Sequence, residues 1–245
     1  MAGRAVIGFF VSLKTSLWLL CLVTALLFAG AFIMPGEKAV QSIHSMPLLE
    51  WMREQPVKST WWLWATMGLL LVLAANTLVC SIDSIAKKRK VTQWMLLISP
   101  QIVHIGFLFM LIAHLVSAVG GFKTFAVAAE GTSLEMPDNS VLQIKGIAMS
   151  FDSYGYLYDW AVDVEYRDNG QVMKQDRLLP NKPVFLKGVG VYVKDLRAFP
   201  SKMVLLEVSR EPGAVWALVG GVLFMTGTIA LLVLKMKREE IQTQP

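Results

Sequence analysis

The sequence predicts a membrane α-helical protein: four transmembrane helices, with an extracytoplasmic all-β domain inserted between helices three and four. Three observations predict it. Charged residues make up only 17% of the 245, where about 25% is usual for a soluble domain, and the mean hydropathy is +0.53. The charge deficit is local, because apolar blocks with almost no charge alternate with stretches of ordinary polarity. Between the third and fourth blocks, short alternating runs broken by turn residues replace the long apolar pattern.

Four blocks reach the about 20 apolar residues that a helix needs to cross a hydrocarbon core. They run from Leu13 to Met34, Trp61 to Ile82, Ile102 to Val119 and Ala214 to Leu234. The third is the shortest and carries His104 and His114. The first is too long for a removable signal peptide and lacks a small-residue cleavage pattern after it, so it reads as a retained helix. The expected organisation is an N-terminal membrane region over 1–120 with an outer interfacial segment at 35–60, a β domain over 121–213, and a last helix with a cytoplasmic tail over 214–245.

Basic residues set the expected orientation, since those flanking short loops are retained in the cytoplasm. The link after the second helix holds Lys87, Lys88, Arg89 and Lys90 against Asp83 alone; the C-terminal tail has Lys235, Lys237 and Arg238, and the N-terminus has Arg4 and Lys14. After the first helix, Lys38, Arg53 and Lys58 are balanced by Glu37, Glu50 and Glu54. Both termini are therefore expected inside, and the segments after helices one and three outside. The stretch 121–213 carries 11 basic and 12 acidic side chains, so the formal +5 belongs to the flanks, where anionic lipid headgroups attract cations. A nucleic-acid partner has no support; the lipid bilayer does.

Cys21 lies in the inner half of helix one and Cys80 near the inner end of helix two, with none in the outer domain. No CxxC is present, which removes a thiol–disulfide oxidoreductase, and both thiols read as small apolar packing residues. In the outer segment, PLLEWMRE places Leu48, Trp51 and Met52 at helical spacing for a short helix along the interface. Trp61, Trp62 and Trp64 open helix two, where indole rings favour the headgroup layer.

The outer domain shows runs at 125–128, 141–147, 161–166, 171–178, 190–193 and 203–208, separated by turn signals such as Pro137-Asp138-Asn139. Asp168-Asn169-Gly170 between VDVEY and QVMKQ is the strongest hairpin signal. A compact sheet or sandwich tied to the membrane at both ends is expected. The domain has no histidine, no cysteine and no phosphate loop, and Asp152, Asp159, Asp163 and Asp176 are scattered acids; no catalytic residue is assigned.

The candidates for chemistry are histidines. Of His44, His104 and His114, two lie inside helix three, where a titratable ring is a functional candidate by default and imidazole is a common axial ligand of haem iron. Ten residues of helix separate them by about 15 Å, so they cannot clamp one iron from opposite sides. Either each serves its own centre, or one is functional and the other packs against a neighbour.

Several stretches resemble the ResB (CcsB) family of cytochrome c biogenesis proteins, one half of the system II cytochrome c synthase. SLKTSLWLLCLVTALLFAGAF resembles the Ser-Leu-Lys/Arg opening and helix one. WWLWATMGLLLVLAANTLVC resembles helix two, with Asn76 and Cys80 near its inner end. HIGFLFMLIAHLVSAVGGF followed by EGTSLEM looks like the His-x-Gly helix and the strand after it. LLPNKPVFLKGVGVYV resembles an Asn-x-Pro-Leu stretch with Val184 in place of Leu, and EPGAVWALVGGVLFMTG the acidic-Pro-Gly start of helix four. The chain is shorter than many members, and Trp61, Trp62 and Trp64 do not reproduce the WWD haem-handling segment, which belongs to the partner half.

The resemblance implies a multi-pass protein of the bacterial inner membrane with a periplasmic domain. It implies a CcsA/ResC-type membrane partner, which carries the attachment chemistry, and an apocytochrome c substrate. It also implies that haem b is held in transit by the His-x-Gly histidine, here His104, as an axial ligand; iron is the only metal expected, through haem alone. His114 falls outside the pattern and stands as a packing residue or second-site candidate, and His44 is a poor substitute for the partner's outer histidines. Two alternatives remain: a haem b electron-transfer anchor using both His104 and His114, and a cofactor-free scaffold whose β domain docks a partner.

Overall fold

The computed structural model describes residues 8–10, 12–34, 42–87, 94–136 and 139–243. The readings placed on Arg4, on 35–41 of the outer segment, on Lys88–Lys90 and on Pro137-Asp138 lie outside the described residues, as do the side chains of Lys87 and Arg238. The chain forms two compact units, one of Met1–Ile43, Pro47–Val119 and Pro212–Pro245, the other of His44–Met46 and Gly120–Glu211.

The first unit is helical: α1 (Leu13–Ile33), α2 (Leu48–Glu54), α3 (Val57–Lys87), α4 (Trp94–Gly120) and α5 (Ala214–Thr243). All but α2 are long and apolar enough to cross a membrane. Their outward faces are apolar too: Phe28, Leu71, Ile112, Val222 and Ile229 are all exposed, the arrangement a lipid solvent permits. The third span is not the short one expected. It begins at Trp94, eight residues before Ile102, and carries Pro100 within the helix. Proline reads as a helix end because it lacks an N–H and crowds the carbonyl four residues back, but membrane helices tolerate it when neighbouring groups re-satisfy the backbone.

Helices α1 and α3 run antiparallel. At one end a Cβ on Gly30 would stand 2.5 Å from the Trp62 ring; at the other, the Ser16 hydroxyl donates to Asn76 Oδ1. Asn76 is fully buried and its Nδ2 donates to the Phe10 carbonyl at 2.9 Å, which also accepts from Cys80 Sγ at 3.2 Å. The headgroup role expected for all three tryptophans fails at Trp62, which is 5% exposed and donates to the Ser59 carbonyl; Trp61 and Trp64 are exposed. The short helix forms as expected at α2, but Trp51 and Met52 are buried by the chain itself. Trp51 Nε1 donates to Ser42 Oγ at 3.2 Å.

Helices α4 and α5 are also antiparallel and meet along a glycine seam. Gly213, Gly220 and Gly227 recur every seven residues. Added Cβ atoms would strike Ala113 and Ser117, then Gly106 and Met110, then Val103 and Ser99. Small residues at such spacing let two membrane helices approach to backbone contact.

The second unit is a β-sandwich of eight strands: β1 (Phe122–Ala129), β2 (Ser133–Glu135), β3 (Val141–Phe151), β4 (Leu157–Asp168), β5 (Gln171–Leu178), β6 (Val184–Leu186), β7 (Val189–Arg197) and β8 (Met203–Arg210). Two antiparallel sheets, ordered β1-β8-β7-β6 and β2-β3-β4-β5, face a common core. One sheet contributes Ala128, Val191, Val204 and Leu206, the other Leu142, Ile144, Val162 and Val164. The alternation within each run sets which side chains enter it. Strands β2 and β6, three residues each, are too short to show a period; β2 falls within the EGTSLEM stretch that the resemblance reads as a strand, whereas β6 was not expected. The Asn169-Gly170 hairpin is present: Asp168 pairs with Gln171, and both turn residues have positive φ, 49° and 80°, as a two-residue turn of this hand requires. Phe122 pairs with Arg210, so the chain enters and leaves the sandwich side by side. The Lys123 N–H donates to the His44 carbonyl, which brings residues 44–46 into this unit.

Candidate functional site

His104 is the eleventh residue of α4, about 15 Å from the first along the axis, because the helix starts earlier than expected. The ring is half-buried. Its Nδ1 lies 2.8 Å from Ser81 Oγ on α3, while its Nε2 has no hydrogen-bond partner among the described residues. Gln101, one turn earlier and about 60° round the helix, is 6% exposed, and its Oε1 has no hydrogen-bond partner among the described residues. An orphaned amide oxygen is costly in an apolar interior, so the side of α4 that carries His104 holds polar capacity beyond what packing needs.

The opposite side of α4 is the glycine seam. Residues two apart on a helix lie about 200° apart, so His104 faces α3 while Gly106 faces α5. A Cβ at Gly106 would stand 2.5 Å from the Phe224 nitrogen and 2.7 Å from the Gly220 carbonyl. Ile105 between them is exposed.

His114 is not brought to this place. It is exposed on α4, about 15 Å further along the axis, and His44 is exposed in the second unit. Cys21 is exposed on α1. Among the described residues no three His, Cys, Asp or Glu side chains gather as a protein-only metal site would need.

In the sandwich the scattered acids have separate structural duties. Asp152 Oδ1 accepts from the backbone of Tyr154 and Tyr156 in the β3–β4 turn. Asp159 accepts from its neighbour's N–H, and Asp163 pairs with Arg177. Asp176 sits 2.6 Å from Lys174, whose hydrogen bond holds its carboxyl below the usual range. Among the described residues, the buried carboxylates are two that sequence reasoning did not single out. Glu165, on the outer face of β4, accepts from Arg167 and from Gln175, and the Arg167 hydrogen bond holds its carboxyl below the usual range. Glu207 lies between Lys123 and Lys194 at 3.4 and 3.1 Å. Arg167 stands two residues from Glu165 on the same strand, whereas Gln175 and the two lysines beside Glu207 are brought in from neighbouring strands.

No family model and no curated protein matches the sequence. Among solved structures, cytochrome c haem lyase CcmF matches with 14% identity and a TM-score of 0.43, over 84% of this chain and 34% of that one. The chain thus spans about a third of that structure's length. A likeness of this degree leaves the function to the residues themselves.

Proposed function

We propose that this protein is a membrane subunit of a system II cytochrome c synthase. It holds haem b within the bilayer at His104 and helps carry it outward for attachment to apocytochrome c, together with a CcsA/ResC-type partner. The observation that carries the reading is the His104 ring at the α3–α4 contact, one nitrogen engaged by Ser81 and the other uncommitted. That geometry stands beside the ResB-like His-x-Gly stretch. A neutral imidazole nitrogen with a free lone pair is what haem iron takes as an axial ligand. Buried polar capacity at Gln101 on the same side of the helix fits a cargo that is not wholly apolar.

In this reading the chain binds and orients; it does not form the thioether bonds. Haem supplies the iron that His104 ligates. Helix α4 fixes the ring's depth, because its other side is locked to α5 at Gly106 and Gly220. The sandwich, with its acids engaged in turns and ion pairs, carries no attachment chemistry, which falls to the partner. Both termini and the basic link lie on the cytoplasmic side, and the sandwich lies outside the inner membrane.

The test is the haem spectrum of the protein purified with and without its partner, beside cytochrome c maturation in cells. His104→Ala is expected to lose the haem absorbance and to reduce maturation to background. Unchanged haem content and maturation in that variant would remove the ligand assignment.

A further inference from the structure

Helix hydroxyls in this chain mostly serve their own helix. Those of Thr66, Thr77, Ser99, Thr226 and Thr228 each donate to the carbonyl four residues back. Ser81 departs from that habit: its Oγ crosses from α3 to α4 and lies 2.8 Å from His104 Nδ1. Among the described residues it is the only hydrogen-bond partner of the ring.

A neutral imidazole carries one N–H, on Nδ1 or on Nε2. With the proton on Nε2, the serine O–H donates to Nδ1 and the ring has no lone pair to offer on its free side. With the proton on Nδ1, the ring donates to Ser81 Oγ and the Nε2 lone pair is open. A ligating ring must take the second form, and its Nδ1–H then needs an acceptor where water is scarce. Ser81 Oγ is that acceptor.

We propose that Ser81 is the positioning residue of this site, fixing His104 in the tautomer and ring orientation that present Nε2 to iron. The inference rests on the reading of His104 as a haem ligand. Hydrogen bonding of the far ring nitrogen orients a ligating histidine and raises its basicity, and losing it costs about 10–100-fold in metal affinity. A more basic ligand also favours ferric over ferrous iron, so the loss moves the haem midpoint potential upward.

The test compares the near-isosteric pair Ser81→Thr and Ser81→Val in the full chain purified with its partner, by haem titration and by redox titration. Ser81→Thr keeps the hydroxyl and is expected to hold native affinity and potential. Ser81→Val is expected to bind haem about 10–100-fold more weakly, with a more positive potential. If the two variants match each other while His104→Ala loses haem, the hydroxyl has no role and the inference is overturned with the ligand reading intact. If His104→Ala keeps the native haem spectrum, the ligand reading itself fails and takes the inference with it.

Discussion

Three consecutive residues of α4 answer to three different surroundings. His104 meets Ser81 of α3, Ile105 is exposed, and Gly106 lies against the backbone of α5. The histidine was legible as a candidate because a titratable ring inside an apolar run needs a reason. The partner of that ring was not, since Ser81 is 23 positions away and an isolated serine in a helix carries no signal of what it faces. In the sandwich Glu165 was legible only in part, since Arg167 stands two positions along the same strand while Gln175 is brought beside it by the β4–β5 register. Its lowered carboxyl pKa fixes a sign. A group depressed on folding adds stability above its unfolded value, about 4.3, and that stability is lost as pH falls through the folded value. Glu165→Gln is therefore expected to lower the sandwich's melting temperature at neutral pH, with the gap to the unmodified protein closing on acidification below that range. Thermal melts by circular dichroism across pH would show it; a gap that stays constant would remove the charge from the account.

Among the elements, the glycine seam and the hairpins show what periodicity conveys and what it hides. The seven-residue recurrence of Gly213, Gly220 and Gly227 is written in the sequence, but it becomes meaningful only once α4 is seen to present Ala113, Gly106 and Val103 to it. The apolar run identified α4, and the proline misplaced its start. Asn169-Gly170 announced its turn by residue type, while Lys187-Gly188 makes the β6–β7 turn with Lys187 at φ 48°, a position that lysine rarely marks. The seam yields a sharp comparison between neighbours. A Cβ at Gly220 would stand 2.7 Å from the Gly106 carbonyl, whereas one at Gly221 meets nothing within 4 Å. Gly220→Ala is expected to destabilise the helical unit by about 1–3 kcal/mol, as overpacking does, and Gly221→Ala to leave it unchanged. Equal melting temperatures for the two variants in detergent would contradict the seam.

For the whole molecule, composition was the most legible signal, because lipid imposes a length and an apolarity on every span that no soluble helix must meet. Among the described residues, four helices long and apolar enough to cross a membrane and an antiparallel β unit are present. Less legible were the residues that hold helix to helix, such as Asn76 with Ser16 and Phe10. Polar contacts between spans depend on which faces meet, and hydropathy does not record that. The central claim is that one imidazole, His104, holds haem between these helices. It is tested most directly by His104→Gly in the protein purified with its partner, with imidazole then added back. The account predicts that the variant loses the haem Soret band and that free imidazole restores it by occupying the vacated place. A native haem spectrum in the variant without imidazole, or no haem in the unmodified complex, would contradict it.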